Sequence, residues 1–570
     1  MPKNIVVFSD GTGQDGGVRP EQRISNVYKM YRVCKVGPES GIDPAEQVAF
    51  YDPGLGTDIG ATALTAPVRF VQKMAASLSG RGITTNIADC YRFIVDHYEP
   101  GDRIYLIGFS RGAYTVRCVA NLLMYCGVPA TGAGGALLRF RKMTRDIARE
   151  AVETVLEHGA GHPRADFDAE RHELARRFRA RYGSDHPEGG GKSNVEPYFV
   201  GTFDTVAALG VAGPKRTLIK AGLAAAVVIP LGIAIAVTSA LVGGISYLFD
   251  GPFWKADLIT AGILVAASVA VAGAVRRRVA AAKTKTIVDW PGPGRSKSHV
   301  AEWKGENFDR LLSAQVGYAR AAIAIDERRK DFDRVKWGPT EVRPPRAPGA
   351  PDQFRQFWFA GNHSDIGGSY EETESRLSDI ALRWMLEQAV GVPDGLKVDG
   401  MPPVADPRHP VEVMRIPRLR LHPSAAGVQH CEVAGMRDAI AARVSASWVP
   451  GWVRRWAEGK TWEAKDREIR HDATVHPSVD ERYRLASVVQ CDGVAPYRPA
   501  ALADHVRFKP FYAGPVAASP EPLGAVGPGG PSEGQVPEGL DRDTTGRPNG
   551  SFTSRAVRID PSPGRPAAPP

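Results

Sequence analysis

The sequence has no C-x-x-C pair: its six cysteines (Cys34, Cys90, Cys118, Cys126, Cys431 and Cys491) are scattered along 570 residues. That spacing argues against a zinc ribbon or a disulfide framework and leaves buried thiols in a reducing compartment as the expectation. A strong excess of either charge is also missing. Lys and Arg number 72 against 63 Asp and Glu, a net +9, so no nucleic-acid partner is expected. Residues 1–9 run into the polar Asp10-Gly11-Thr12-Gly13 before any apolar region of signal-peptide length, so Sec secretion is not expected. There is no internal repeat and no dedicated metal-ligand spacing such as H-E-x-x-H. What remains is ordinary in bulk: 43% hydrophobic and 24% charged residues suit a globular chain of about three or four domains.

Charge is absent locally as well. Ala221 to Phe249 is a run of 29 uncharged residues, and Leu258 to Val275 a second of 18, separated by a short polar break. A helix needs about 20 apolar residues to cross a bilayer core. Lys215, Arg216 and Lys220 precede the first run and Arg276, Arg277 and Arg278 follow the second. Positive charge at both outer ends reads as a transmembrane hairpin over 216–278, with the rest of the chain on the cytoplasmic side. Tyr247, Phe253 and Trp254 stand where an interfacial aromatic belt would be. At the far end, 513–570 holds 12 prolines and 10 glycines in 58 positions, too little apolar surface to offset the entropy of ordering, and reads as a disordered tail. Residues 135–190 read as charged amphipathic helices closed by a Gly-rich loop, a possible lid.

Elsewhere short apolar runs alternate with helical stretches. Ile5–Phe8 ends at Asp10-Gly11-Thr12-Gly13 and Gln47–Tyr51 at Asp52-Pro53-Gly54. Arg103–Ile107, Tyr198–Phe203 and Phe357–Ala360 complete the series. Such alternation implies an α/β fold, a mostly parallel sheet with helices on both faces, whose ligands bind at the carboxyl ends of the strands.

Gly108-Phe109-Ser110-Arg111-Gly112 matches G-x-S-x-G, follows an apolar strand and precedes a helical stretch. That strand–turn–helix setting is what a nucleophile elbow requires, with the backbone N–H of the next residue, Arg111, serving an oxyanion hole. A second oxyanion donor is expected from Gly11 or Thr12, in the glycine-rich turn after the first strand. Ser110 needs a base and the base an orienting carboxylate, in the order Ser, acid, His. Asp204 and His363 each follow an apolar strand run in that order; Asp365 competes as acid and His476 as base. A metal-dependent hydrolase using Asp10, Asp52, Asp204, His363 and Asp365 is one alternative, and a non-catalytic membrane scaffold another. The Asp-Gly-Thr of aspartate-nucleophile phosphatases is excluded, because Phe8 occupies the position of their nucleophile.

Taken together, Asp10-Gly-Thr-Gly, Gly108-Phe-Ser-Arg-Gly-Ala113, Gly201-Thr-Phe-Asp-Thr-Val206, Ile325-Asp-Glu-Arg-Arg329 and Trp358-Phe-Ala-Gly-Asn-His-Ser-Asp-Ile-Gly-Gly368 resemble one family. It is the alpha/beta hydrolases known as domain of unknown function 2235, which includes phospholipase effectors of the type VI secretion system. The resemblance spans about 1–390 apart from the hairpin. It implies an alpha/beta-hydrolase-like core, lipid acyl-ester hydrolysis, and the roles of nucleophile for Ser110, acid for Asp204 and base for His363. The hairpin departs from the family's effectors, and no PAAR- or VgrG-like segment for loading onto a secretion needle is found. The expected organisation is a hydrolase core over 1–215 and 279–400, an accessory region over 401–512, and the tail. The expected substrate is a lipid or acyl ester at a membrane. No cofactor and no metal are called for, and no oligomeric state is assigned.

Overall fold

The computed structural model describes residues 2–522 apart from 15, 17–22, 55–80, 207–213, 304–314, 333, 338–349, 402–412, 434–450, 452–453, 456–458, 460–463, 492 and 513–520. Most of the expected tail therefore lies outside the described residues.

The amino-terminal half follows the alternation read from the sequence. β1 (Asn4–Ser9) leads to α1 (Asn26–Cys34), β2 (Gln47–Asp52), α2 (Arg81–His97), β3 (Arg103–Phe109) and α3 (Arg111–Cys126). α4 (Lys142–Glu150), prolonged by a π-turn over Ala151–Leu156, and α5 (Arg164–Tyr182) form the charged segment before β4 (Phe199–Phe203). Two long helices follow, α6 (Pro214–Leu248) and α7 (Phe253–Lys283), then a small antiparallel hairpin of β5 (Thr284–Val288) and β6 (Ser296–Val300). β7 (Tyr318–Ala324) and β8 (Phe354–Phe359) complete the main sheet, followed by α8 (His363–Gly367) and α9 (Arg376–Val390). Beyond them come α10 (Pro477–Arg484) and three short strands, Val488–Gln490, Gly493–Ala495 and Glu521–Pro522.

The sheet has six strands in the order β8-β7-β4-β3-β1-β2, and each neighbouring pair is parallel. Parallel strands buried on both faces need continuous apolar sequence, and β1 and β3 supply it in Ile5–Phe8 and Ile104–Ile107, all fully buried. Residues alternate between two cores. Ile5, Val7, Ile104 and Leu106 face α2, α3, α4 and α5; Val6, Phe8, Tyr105 and Ile107 face α1 and α9. Because β1 lies between β2 and β3, the chain direction across the sheet reverses there, which opens a crevice beyond the carboxyl ends of β1 and β3.

β7 is absent from the sequence reading. Its run, Tyr-Ala-Arg-Ala-Ala-Ile-Ala, is rich in small residues and broken by Arg320, so it carries little apolar signal. The structure buries Arg320 by giving its guanidinium to Gln388 Oε1 and the Ala319 and Gln353 carbonyls.

The 135–190 segment forms helices, and its Ile147, Val152, Val155, Leu156 and Phe178 are buried in the same core as α2 and α3. It is a packed layer of the body. The accessory region makes a third core in which Val475, Val479, Tyr483 and Phe508 pack on Ile323 and Trp358 of β7 and β8. Of the expected tail, Glu521–Pro522 pairs antiparallel with Gly493–Val494.

α6 and α7 pack against each other as an antiparallel pair. Their described side chains are otherwise outward: Leu241, Ile245, Leu248, Ile259, Ile263 and Val269 are all exposed. By length and composition both helices can cross a membrane, with mean hydropathies of 1.9 over Leu231–Leu248 and 2.3 over an 18-residue window within Phe253–Lys283. Arg276–Arg278 lie within α7, which runs on to Lys283.

Candidate active site

Ser110 stands between β3 and α3 with φ 58° and ψ −123°, a strained conformation for a non-glycine residue and one that clusters at functional sites. Its neighbours must be glycine. A Cβ on Gly108 would sit 2.5 Å from the Gly112 carbonyl oxygen, and one on Gly112 only 2.1 Å from the Ser9 carbonyl oxygen. The turn is thus wedged against the end of β1, and a Cβ on Gly11 would come 3.3 Å from Ser110 Cβ.

Asp204 follows β4 directly, also at positive φ (31°), and is buried. Its Oδ2 lies 2.6 Å from His363 Nδ1, although 159 residues separate them. Oδ1 accepts the Ala324 N–H at 3.2 Å, and Arg467 Nη2 donates to Oδ2 at 3.0 Å. Burial pushes this carboxyl up, but the Arg467 charge, the His363 hydrogen bond and charge, and the Ala324 N–H outweigh it and hold the group at about 2.

His363 is the first residue of α8. Asn362 caps that helix by accepting the Ser364 and Asp365 N–H groups, and the Asp365 side chain accepts the Asn362 N–H in return. The His363 ring sits between Phe109 and Phe332, with centroids 4.7 and 5.2 Å away. Gly367 makes this possible, since a Cβ there would fall 1.9 Å from the Phe109 ring. The His363 N–H donates to Glu327 Oε2 at 3.3 Å, and Glu327 is itself bound by Arg329. His363 Nε2 is buried with no partner among the described residues. Nδ1 faces the Asp204 carboxylate, so Nε2 is the ring nitrogen open to another partner.

The oxyanion candidates divide. The Gly11 N–H is already donated to Asp10 Oδ1 at 2.7 Å. No acceptor takes the Thr12 or Arg111 N–H among the described residues. The Arg111 guanidinium has no carboxylate partner among them, and burial alone lowers it to about 10, so it stays charged at neutral pH.

The structure puts the competing residues to other uses. Asp365 caps α8 and pairs with His430 Nδ1 at 2.7 Å. His476 caps α10 and accepts the Ser478 N–H. Its ring stacks on Phe359 at 4.5 Å, and burial lowers it to about 4. Asp10 and Asp52 are saturated by neutral donors: Ser25, Tyr51 and Gly11 for Asp10, Ser9 and Asn86 for Asp52. Burial raises them to about 6 and 7.

The described residues that could group around a metal are His158, Glu170 and His299, on the insert and the β5–β6 hairpin. Both Glu170 oxygens are engaged, by His158 Nε2 and by Lys297. His299 Nε2 accepts the Gly159 N–H at 3.0 Å. The cluster is neutralised from within.

Arg467 and Glu327 escaped the sequence reading. Glu327 lies in the quoted Ile325–Arg329 motif, where its role was not apparent. Arg467 is one charge in the run Lys465-Asp-Arg-Glu, and nothing local distinguishes it from a solvated face.

Fold and site thus describe a parallel α/β protein with a strained serine, a histidine and a carboxylate gathered at the carboxyl end of its sheet. The family model of the T6SS phospholipase effector Tle1-like catalytic domain matches residues 3–228 and 273–388. The chain belongs to that family. An uncharacterized protein of Saccharomyces cerevisiae, YEL023C, is 25% identical over 428 residues, covering 68% of this chain and 57% of the yeast protein. The chain therefore spans little more than half the length of that relative. Two solved structures overlap more loosely. An uncharacterized protein from Pseudomonas aeruginosa gives a TM-score of 0.31 at 14% identity, covering 78% of this chain and 51% of that one. The Tle1 effector bound to the VgrG spike gives 0.22 at 16% identity, covering 66% and 53%. At such scores neither carries an argument.

Proposed function

We propose that the protein is a membrane-anchored serine hydrolase that cleaves phospholipid acyl esters through an acyl-enzyme. The observation that carries this reading is the 2.6 Å contact between Asp204 and His363, with the His363 ring against the residue that precedes Ser110. His363 Nε2 takes the Ser110 proton as Oγ attacks the ester carbonyl. The Arg111 and Thr12 N–H groups receive the developing oxyanion. The protonated His363 gives its proton to the departing lysolipid oxygen, then activates a water that releases the fatty acid from Ser110. Asp204 holds the ring in the tautomer that leaves Nε2 free and stabilises its charged form. The Arg111 charge beside the nucleophile, without a carboxylate partner among the described residues, suits the phosphodiester of a phospholipid.

The exposed apolar faces of α6 and α7 support an anchor. Ser110 and Asp204 precede this pair of helices and His363 follows it, so one active site requires an even number of crossings, and the two helices supply two. That places both halves of the sheet on one side of the membrane, which we take to be the cytoplasmic side from the flanking basic residues.

The test is incubation of the purified protein with acyl esters and phospholipids, with and without a serine-reactive fluorophosphonate and a chelator. Labelling at Ser110 that abolishes hydrolysis, with no chelator effect, is the expected result; loss to chelator alone would favour a metal-dependent enzyme. Deletion of 216–278 should give a protein that no longer sediments with membranes and still hydrolyses a soluble ester.

A further inference from the structure

Arg467 lies outside both segments matched by the family model, in the accessory region, yet its side chain reaches a buried carboxylate 263 residues earlier. Its delivery is fixed at both ends of a short stretch of chain. Ala464 bridges to Arg329 and the Lys465 N–H donates to the Arg328 carbonyl at 2.7 Å. Ten residues on, Val475 bridges to Trp358 of β8, and the His476 N–H donates to the Trp358 carbonyl at 2.9 Å. The stretch therefore crosses the carboxyl end of the sheet next to β7 and β8, with the Arg467 side chain only 5% exposed.

The contact is unusual in where it lands. Arg467 Nη2 shares with His363 Nδ1 the same oxygen, Asp204 Oδ2. A guanidinium buried only for packing would have its N–H groups satisfied all round. Here Nη1 is buried with no partner among the described residues, so the carboxylate is what holds the group in place. In return, a carboxylate with no exposure to water keeps its charge only if a cation or several N–H donors offset the burial. The other groups facing this carboxylate cannot do that alone. β7 offers the uncharged Ala324 N–H, and α8 offers His363, which is neutral when it acts as base. Nearby Glu327, which binds the His363 N–H, is already neutralised by Arg329.

We propose that Arg467 is a positioning residue of the site, keeping Asp204 ionised with Oδ2 turned to His363, so that docking of 464–476 completes the catalytic centre. This rests on Asp204 and His363 acting as the acid–base pair. Arg467 acts through Asp204 and is not itself a catalytic residue. The site is then a joint product of the family's catalytic domain and the chain beyond it.

The test compares Arg467→Gln and Arg467→Lys in the full chain. Turnover, KM, fluorophosphonate labelling rate at Ser110 and histidine-ring NMR would each be followed against pH, with His363→Gln to assign the His363 signals. Arg467→Gln should lower kcat by about 10- to 100-fold, less than the roughly 10⁴-fold that loss of a triad carboxylate's orienting role costs, and leave KM within about twofold. Its acid limb, in turnover and in labelling, should move to higher pH by at least about one unit, the usual effect of a neighbouring guanidinium. Arg467→Lys keeps the charge and loses the fork, so its limb should stay near that of the parent while kcat recovers in part. A folded Arg467→Gln with parental kcat and parental acid limb overturns the proposal. Should Arg467→Gln not fold, a parental kcat and a parental His363 spectrum in Arg467→Lys overturn it equally. The NMR titration reads the Asp204–His363 pair directly. It therefore separates failure of the Arg467 role from failure of the hydrolase reading, which would show as absent Ser110 labelling in the parent.

Discussion

Asp10 and Asp204 occupy equivalent places, each the first residue past the carboxyl end of a parallel strand and each buried. Their pKa values move in opposite directions. Asp10 is surrounded by hydroxyls and one N–H, and burial carries it up to about 6. Asp204 is buried as deeply, but Arg467 and His363 carry it down to about 2. Hydrogen bonds from neutral groups satisfy a carboxyl without committing it to a charge, whereas a neighbouring cation does commit it. The first arrangement builds a turn; the second can orient an imidazolium.

The contrast is broken most severely at the residues that would act with Asp204. Ser110→Ala and His363→Ala should each lower turnover by several orders of magnitude, and the double variant should be little worse than either, because residues acting as a unit do not add. Additive losses in a kcat comparison of the three would separate His363 from Ser110.

Next in size is Asp204→Asn. Turnover should fall by up to about 10⁴-fold, and stability at pH 7 by about 3–5 kcal/mol, since Arg467 would be left buried without its counter-charge. Because its folded pKa is depressed, the Asp204 contribution is present above the usual carboxyl range and disappears as pH falls through about 2. Thermal unfolding of parent and variant should therefore converge in strong acid; a constant gap from pH 7 to pH 2 would remove the charge argument.

Asp10→Asn should do the reverse. A raised folded pKa favours the protonated form, so that stability is complete below about pH 4 and is lost as pH rises through about 6. The variant should equal the parent near pH 4 and exceed it at pH 8 by up to about 3 kcal/mol, with turnover changed less than about threefold. A variant less stable than the parent at pH 8 would show that the fold stabilises the charged form of Asp10 after all.

Smallest is His476→Ala. Loss of an N-cap and a ring stacked on Phe359 should cost about 1–2 kcal/mol and leave kcat within about twofold. Silencing by this change, with His363→Ala active, would move the base to the accessory region.

The contrast also marks where sequence stops being informative. Strain and apolar runs are local, so the β3–Ser110–α3 elbow, β1, β4 and the α6–α7 pair could be read from neighbours a few residues apart. Asp204 and His363 could be placed because each follows its strand in chain order. The sign of a carboxyl's shift is not local. Asp10-Gly-Thr and Asp204-Thr-Val look alike as strings, and their difference comes from Arg467, which no spacing connects to either. β7 was hidden for a related reason: its Arg320 is matched only by Gln388 and backbone carbonyls brought up by the fold.

One consequence follows from where the helix pair interrupts the sheet. β4 is finished at Phe203 and its neighbour β7 begins only at Tyr318, more than a hundred residues later in synthesis. At ribosomal speeds that interval is on the order of ten seconds. Throughout it β4, Phe-Val-Gly-Thr-Phe, presents an unpaired edge open to pairing with another chain. The apolar helices emerge inside the same interval. A nascent chain whose α6–α7 segment is detained, by a slow codon run or a blocked insertion step, should aggregate through β4 before β7 can close it. Yield in the cell would then follow the timing of that segment more closely than the stability of the finished fold.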